Sequence, residues 1–384
     1  MARMSETVLQ QKRSGIRKIM ELANTLPNVL HMEVGEPLFE TPAHIVRAGC
    51  EALEHGFTKY APNAGLYPLR EAAVNRLNRE LGLSLAVDNV IVGIGGVEVI
   101  NCAIRALCDA GDEILIPDPS WPNYETMATI ASVTRKYYRL LPENSFLPDF
   151  NELEGLITDK TKMIIVNSPS NPLGVVMPAE TIEKLVVFAS KHDIYLLSDE
   201  AYEKIVFDAP HVCALPYDTN GRVIAAYTLS KTYAMTGWRV GYAVSDKAVI
   251  EQMVKLQEAY VSSVPSAMEM AAVAAICGDQ ACVEDMRIVY RQHRDLTASI
   301  LDEYGIDYFM PNGAFYMWIN ARCSNSTAFA EQLLIKKHVA VAPGDTFGKT
   351  GNGYIRISLA SSEDTIRSGI RTLAEFIANQ GKMN

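Results

Sequence analysis

The chain carries few of the marks of metal-binding, secreted, membrane or nucleic-acid-binding proteins. Its seven histidines are scattered, with no HExxH pair and no Cys/His cluster, which argues against a bound metal. Its seven cysteines (50, 102, 108, 213, 277, 282 and 323) are odd in number and form no CxxC pair. That usage suits reduced, mostly buried thiols of a cytoplasmic protein better than a disulfide framework. Apolar runs such as Ala271–Cys277 fall far short of the roughly 20 residues that span a bilayer. The opening stretch MARMSETVLQQKRSG has charges but no apolar centre, so it does not read as a secretory signal. Positive charge is also in short supply: 35 Lys and Arg stand against 45 Asp and Glu, a net charge of −10. A phosphate-backbone partner needs a basic face, so nucleic acid is not an expected ligand. The expectation is a cytoplasmic protein with no metal, no nucleic-acid partner and no membrane.

What is present is a globular chain. Its 384 residues suggest about two or three packed units at roughly 150 residues per domain. With 48% apolar residues it can bury a sizeable core, and no repeat or low-complexity tract interrupts it. From about Asp88, compact apolar runs alternate with helical stretches: Val90–Val92, Glu113–Ile116, Met163–Val166, Tyr195–Ser198, Val223–Thr228 and Val240–Val244. Continuous apolar strands separated by helices signal a mostly parallel sheet covered on both faces. A long helical pattern from Met253 runs towards Ala275, with Pro265 as a break. From about Arg287 the pattern becomes a helix, two or three strands (Phe315–Ile319, Val339–Val341, Tyr354–Ser358) and a closing helix from Ser362. The expected division is an N-terminal arm over 1–45, a large α/β domain over 46–285 and a small α+β domain over 286–384.

In open α/β sheets, ligands sit beyond the carboxyl ends of the strands. Polar residues are concentrated there: Gly95-Gly96-Val97-Glu98, Asn167-Ser168-Pro169-Ser170-Asn171-Pro172, Ser198-Asp199-Glu200-Ala201-Tyr202, and Ser230-Lys231 with Arg239 shortly after. A lysine, an aspartate, an asparagine, a tyrosine and an arginine on one rim suit an anionic, aromatic cofactor bearing a carbonyl. The lysine could form a Schiff base, and a phosphate would need the arginine and a helix N-terminus.

These motifs resemble those of the class I/II aminotransferases of pyridoxal phosphate (PLP) fold type I. Ser230-Lys231-Thr-Tyr-Ala-Met-Thr-Gly-Trp-Arg239-Val-Gly241 is similar to that family's lysine signature. Asn167-Ser-Pro-Ser-Asn171-Pro-Leu-Gly174 resembles its NPxNPTG loop, with Leu173 where Thr is usual. The spacings agree: 28 residues from Asn171 to Asp199, 32 from there to Lys231 and 8 on to Arg239. The resemblance runs from about residue 15 to the C-terminus. It implies a large PLP-binding domain with a mostly parallel seven-stranded sheet, a smaller α+β domain, and pyridoxal 5′-phosphate as cofactor.

The resemblance also implies roles. Lys231 would hold the cofactor and, once released, move a proton. Asp199 would keep the pyridine nitrogen protonated, because an adjacent negative charge favours the cationic ring. Asn171 and Tyr202 would hydrogen-bond the 3′ oxygen, and Trp121, in Asp118-Pro-Ser-Trp-Pro-Asn-Tyr124, would lie against the ring. The phosphate would meet the Gly96, Val97 and Glu98 N–H groups, Ser230 and Arg239. Tyr60, in Phe57-Thr-Lys-Tyr60-Ala-Pro-Asn-Ala-Gly65, would reach the phosphate of a neighbouring subunit, making a homodimer with shared sites. Arg356, in Tyr354-Ile-Arg-Ile-Ser358, would clamp the substrate α-carboxylate, joined by the Gly35 N–H and Asn171.

The implied reaction moves the amino group of an amino acid to a 2-oxo acid in ping-pong fashion through pyridoxamine phosphate. Elimination, decarboxylation or ring closure on the same cofactor is the alternative, because the bond broken depends on its orientation against the ring. A PLP-binding regulator with a DNA-binding head is disfavoured by the acidic charge and by the early start of the resemblance. Some family members hold a second substrate carboxylate with a lysine after the Gly-Gly pair, where this chain has Val97. Others use an arginine before a Ser-x-Pro segment; here Glu258, Ala259 and Tyr260 precede Ser263-Val264-Pro265. A neutral or aromatic donor is therefore expected, although Arg17 could supply a cation from the N-terminal arm.

Overall fold

The computed structural model describes residues 3–9, 11 and 13–380. Two helices, Glu6–Leu9 and Gly15–Ala23, precede a two-residue strand, Leu30–His31 (β1). After the helices Ala43–Glu54 and Tyr67–Leu81 come the seven strands of the large sheet. They are Val90–Gly93 (β2), Glu113–Asp118 (β3), Thr134–Arg139 (β4), Thr161–Asn167 (β5), Tyr195–Asp199 (β6), Val223–Thr228 (β7) and Gly241–Val244 (β8). Their spatial order is β2-β8-β7-β6-β5-β3-β4, with β8 antiparallel to both neighbours and every other pairing parallel.

Side chains alternate between two cores, as the two-residue period of a strand requires. Leu115, Ile164, Val166, Leu196 and Ala225 face one layer. Ile114, Ile116, Ile165, Leu197 and Ile224 face the other. Strand β4 lies outside the sequence expectation. Its residues, TRKYYR, are mostly exposed or half-buried, and it occupies an edge, where charged side chains discourage further pairing.

The 23-residue helix Ala281–Glu303 runs across 285–286, the expected boundary between the large and small domains. Beyond it, Tyr308–Phe309 (β9), Tyr316–Asn320 (β10), Val339–Ala340 (β11), Ala342–Pro343 (β12) and Tyr354–Ser358 (β13) complete the strands. Four of these make an antiparallel sheet in the order β12-β13-β10-β9. The fifth, β11, pairs parallel with β1. A third core joins Ile19 and Met32 from the N-terminal segment to Phe315, Ile319, Leu333, Ile357 and Leu373. Beginning and end of the chain thus share one apolar interior, and β10 and β13 are held against the carboxyl end of the large sheet. No helix among the described residues is long and apolar enough to cross a membrane.

Candidate active site

Three adjacent strands deliver the polar centre. Asn167 ends β5, Asp199 ends β6, and Thr228 ends β7 and caps the short helix Leu229–Thr232 that carries Lys231. The cap is the Thr228 hydroxyl, which accepts from the Ser230 N–H at 3.2 Å. The Asn167 amide donates to the Asp199 carbonyl at 2.9 Å, and its oxygen accepts the Asn171 N–H at 2.8 Å. One buried asparagine therefore locks the loop after β5 to the end of β6.

Lys231 donates from Nζ to the Gly35 carbonyl at 2.7 Å. Burial pulls its pKa down to about 8; Glu36 opposes the shift, and the Arg356 and Arg239 charges reinforce it. Asp199 is buried, accepts from the Tyr124 hydroxyl through Oδ2, and takes the Ala201 N–H on Oδ1 at 3.1 Å. Burial lifts its pKa to about 6 against those hydrogen bonds. Trp121 is half-buried and meets Tyr124 edge-on, with ring centroids 5.3 Å apart.

Arg356 is buried on β13, and burial lowers its pKa from the ordinary arginine value. Nη1 donates to Asn171 Oδ1 at 3.0 Å and Nη2 to the Glu33 carbonyl, while Nε has no partner. Its guanidinium lies between two rings, 4.2 Å from the Tyr316 centroid and 4.9 Å from that of Phe347. Tyr202 places its hydroxyl 2.8 Å from that of Tyr316.

At the far rim, the helix Gly95–Leu107 begins immediately after β2. Gly95 has φ +74°, and a Cβ there would stand 2.7 Å from an Arg239 nitrogen. Arg239 itself is exposed and donates to the Thr236 carbonyl at 2.9 Å. Glu98 turns its carboxylate back onto the Ile94 N–H, and Arg239 Nη2 donates to the Ile94 carbonyl at 3.4 Å beside the helix start. Val97 is half-buried against the apolar layer below.

Lys231, Asp199, Asn171, Tyr202, Ser230, Arg356 and Gly35 are thus brought together, with Trp121 beside Asp199's partner and Gly95-Gly96 facing Arg239. Tyr60 is not among them: it is 91% exposed, on the loop between the helices Ala43–Glu54 and Tyr67–Leu81. Arg17 is exposed on the helix Gly15–Ala23. Three participants escaped the sequence reading: Tyr124, Tyr316 and Glu33. Tyr124 follows Trp121 by three residues at a helix start, a spacing that could have flagged it. Tyr316 and Glu33 sit inside apolar runs and gave no signal.

A low-pKa amine beside a buried acceptor carboxylate, with an anion-ready helix start and arginine opposite, is what a lysine-bound aromatic carbonyl carrying a phosphate requires. That places the protein among the PLP enzymes. The profile "Aminotransferase class I and II" matches residues 27–373, and the chain belongs to that family. It is 38% identical to an aspartate aminotransferase of Pyrococcus horikoshii over 98% of this chain and 97% of the relative. It is 32% identical to aromatic-amino-acid aminotransferase 2 of Thermococcus litoralis over 95% of each chain. The structure of Thermus thermophilus aspartate aminotransferase with maleate superposes with a TM-score of 0.94 at 34% identity, covering 98% of this chain and 100% of that one. The protein is an aminotransferase, and its cofactor is pyridoxal 5′-phosphate. The residues present fit that group: an amine, Lys231, lies near the buried Asp199 carboxylate, and the Gly95 backbone leaves room where a Cβ would strike Arg239.

Proposed function

We propose that Lys231, Asp199 and Arg356 form the reaction centre, and that a neutral or aromatic amino acid is the preferred donor. The observation that carries this reading is geometric: Lys231 Nζ donates to the Gly35 carbonyl at 2.7 Å, Arg356 donates to Asn171 Oδ1 at 3.0 Å, and the buried Asp199 carboxylate is held by Tyr124, all at one end of the sheet. Pyridoxal phosphate supplies an electrophilic carbonyl and an electron-withdrawing ring, which carry the amino group between substrates. Lys231 would hold the cofactor and, once released, would move the proton at the substrate Cα. Asp199, its carboxylate held by the Tyr124 hydroxyl and the Ala201 N–H, would keep the ring nitrogen protonated. Asn171 and Tyr202 would donate to the 3′ oxygen, and Trp121 would lie against the ring. The Gly96, Val97 and Glu98 N–H groups take the phosphate with Ser230 and Arg239. Arg356, the Gly35 N–H and Asn171 hold the substrate α-carboxylate, with two parallel bonds from the guanidinium.

The donor preference rests on what flanks the centre. A cleft of about 540 Å³ is lined by Pro37, Leu38, Phe39, Trp238 and Met268, with Glu36 and Glu40 as its charged members. A second substrate carboxylate would meet like charge there, whereas an apolar or aromatic side chain would meet matching surface. Tyr60 reaches the phosphate site of a second copy, so the working form is a homodimer of the cytoplasm. Seven unpaired cysteines agree with a reducing compartment.

The test is the yellow absorbance of the holoenzyme, followed as single amino acids are added without any keto acid. Phenylalanine, tyrosine or leucine should bleach the band at lower concentration than aspartate or glutamate. Bleaching by the dicarboxylates alone would overturn the donor assignment.

A further inference from the structure

Tyr316 touches more of the proposed centre than any role given so far explains. It is fully buried on β10, where its register partner on β13 is Ser358. Its ring lies 4.2 Å from the Arg356 guanidinium carbon and packs edge-on against Tyr202 at 5.6 Å. A Cβ on Gly35 would come within 2.2 Å of its hydroxyl oxygen, so Tyr316 also borders the backbone offered to the substrate carboxylate. Its hydroxyl pairs with that of Tyr202 at 2.8 Å.

Two hydroxyls in one hydrogen bond have one proton between them and one left over. If Tyr202 donates to Tyr316, it has no proton for any other acceptor. If Tyr316 donates, the Tyr202 proton is free for an anionic oxygen in the site. The charged neighbours favour the second arrangement. Burial raises both phenols and Arg356 acts against that rise at both, but it weighs more on Tyr316, whose ring it stacks on at 4.2 Å, and Tyr202 is left the further raised, which makes Tyr316 the better donor. Asp199 is the other charged group near the pair and acts on Tyr202 in the opposite sense, holding its proton.

We propose that Tyr316 is a positioning residue that donates to Tyr202, directs the Tyr202 proton at the cofactor's 3′ oxygen, and braces Arg356 with its ring. This rests on the role given to Tyr202 above. Donation to the 3′ oxygen withdraws electron density from the neighbouring lysine–cofactor linkage and makes it more acidic. Tyr316 therefore couples the acidity of that linkage to the seat of the substrate carboxylate.

The experiment is a pH titration of the visible absorbance of the holoenzyme, alongside KM for the amino donor. Tyr316→Phe keeps the ring and loses the donor. Its titration midpoint should rise by about one pH unit, a tenfold change in proton affinity, while KM stays within about threefold. Tyr316→Leu should add a tenfold or larger rise in KM, because the Arg356 stack is lost. Tyr202→Phe should move the midpoint at least as far, and Tyr202→Phe with Tyr316→Phe no further than Tyr202→Phe alone. A midpoint moved by Tyr202→Phe but not by Tyr316→Phe overturns the proposal alone. A midpoint unmoved by Tyr202→Phe overturns the Tyr202 assignment and the proposal with it. Additive shifts would mean that Tyr316 acts without Tyr202, and would overturn it as well.

Discussion

Removing Lys231 from water disfavours its charged form, and the nearby Arg356 and Arg239 charges push the same way, bringing the amine to about 8. Only the free amine attacks a carbonyl. Loading of the apoprotein with PLP, followed by stopped-flow absorbance, should therefore quicken about tenfold per pH unit below 8 and level off above it. A rate flat from pH 6 to 9 would show that Lys231 is already free of its proton at the lower end. Arg356→Ala removes a guanidinium that is 2% exposed and leaves the Asn171 oxygen and the Glu33 carbonyl short of a donor. It should weaken amino-acid binding by about 2–5 kcal/mol, read as a large rise in KM, with PLP still bound. Residues such as Lys231, Asp199 and Asn171 were legible because each follows a compact apolar run and belongs to a motif. Tyr124 and Tyr316 were not, because their hydroxyl partners lie 75 and 114 positions away along the chain. Only folding reveals such a pair.

Among elements, legibility followed burial. Six of the seven large-sheet strands carry apolar runs dictated by helices on both faces, and the sequence shows them. The edge strand β4 has no such run and was invisible, as were the two-residue strands β1 and β9, held by their partners rather than by their own pattern. Pro265 does separate two helices, Lys247–Tyr260 and Ser266–Cys277. The second of these buries Glu269 completely, with Oε2 accepting the Leu66 N–H at 2.7 Å and Oε1 unpaired. Burial lifts this carboxyl from the ordinary 4.5 to about 7. The folded protein thus keeps a proton that the unfolded chain releases at lower pH. The stability from that proton is complete below about 4.5 and is lost as pH rises through about 7. Glu269→Gln retains an oxygen for Leu66 and cannot ionise. It should be nearly neutral at pH 5 and stabilising by ~1–3 kcal/mol at pH 8 in urea titrations. A variant equally destabilised at both pH values would mean that the carboxylate, not the acid, is the form the fold holds.

At the scale of the whole molecule, the loop anchored by Glu269 is the one that bears Tyr60. Ser263 accepts the Ala61 N–H at 3.2 Å, and the Ser266 hydroxyl donates to the Lys59 carbonyl at 3.4 Å. A loop this firmly tied, ending in a tyrosine that is 91% exposed, is built to present that ring outward. Phe57, Leu53 and Tyr260 are exposed apolar residues of the same region and its neighbours, as expected where a second copy covers the surface. If Tyr60 serves the partner's site, a Lys231→Ala subunit can lend its intact Tyr60 to a Tyr60→Phe subunit that still has its lysine. The mixed dimer then has one complete site, while its other site lacks both groups. Random mixing makes about half of the dimers mixed, so activity should recover to about one quarter of the unmutated level. Measuring kcat on dimers isolated with two different affinity tags removes the uncertainty of exchange. Activity in those dimers no higher than the average of the two parent variants would place Tyr60 in its own subunit's site or in none.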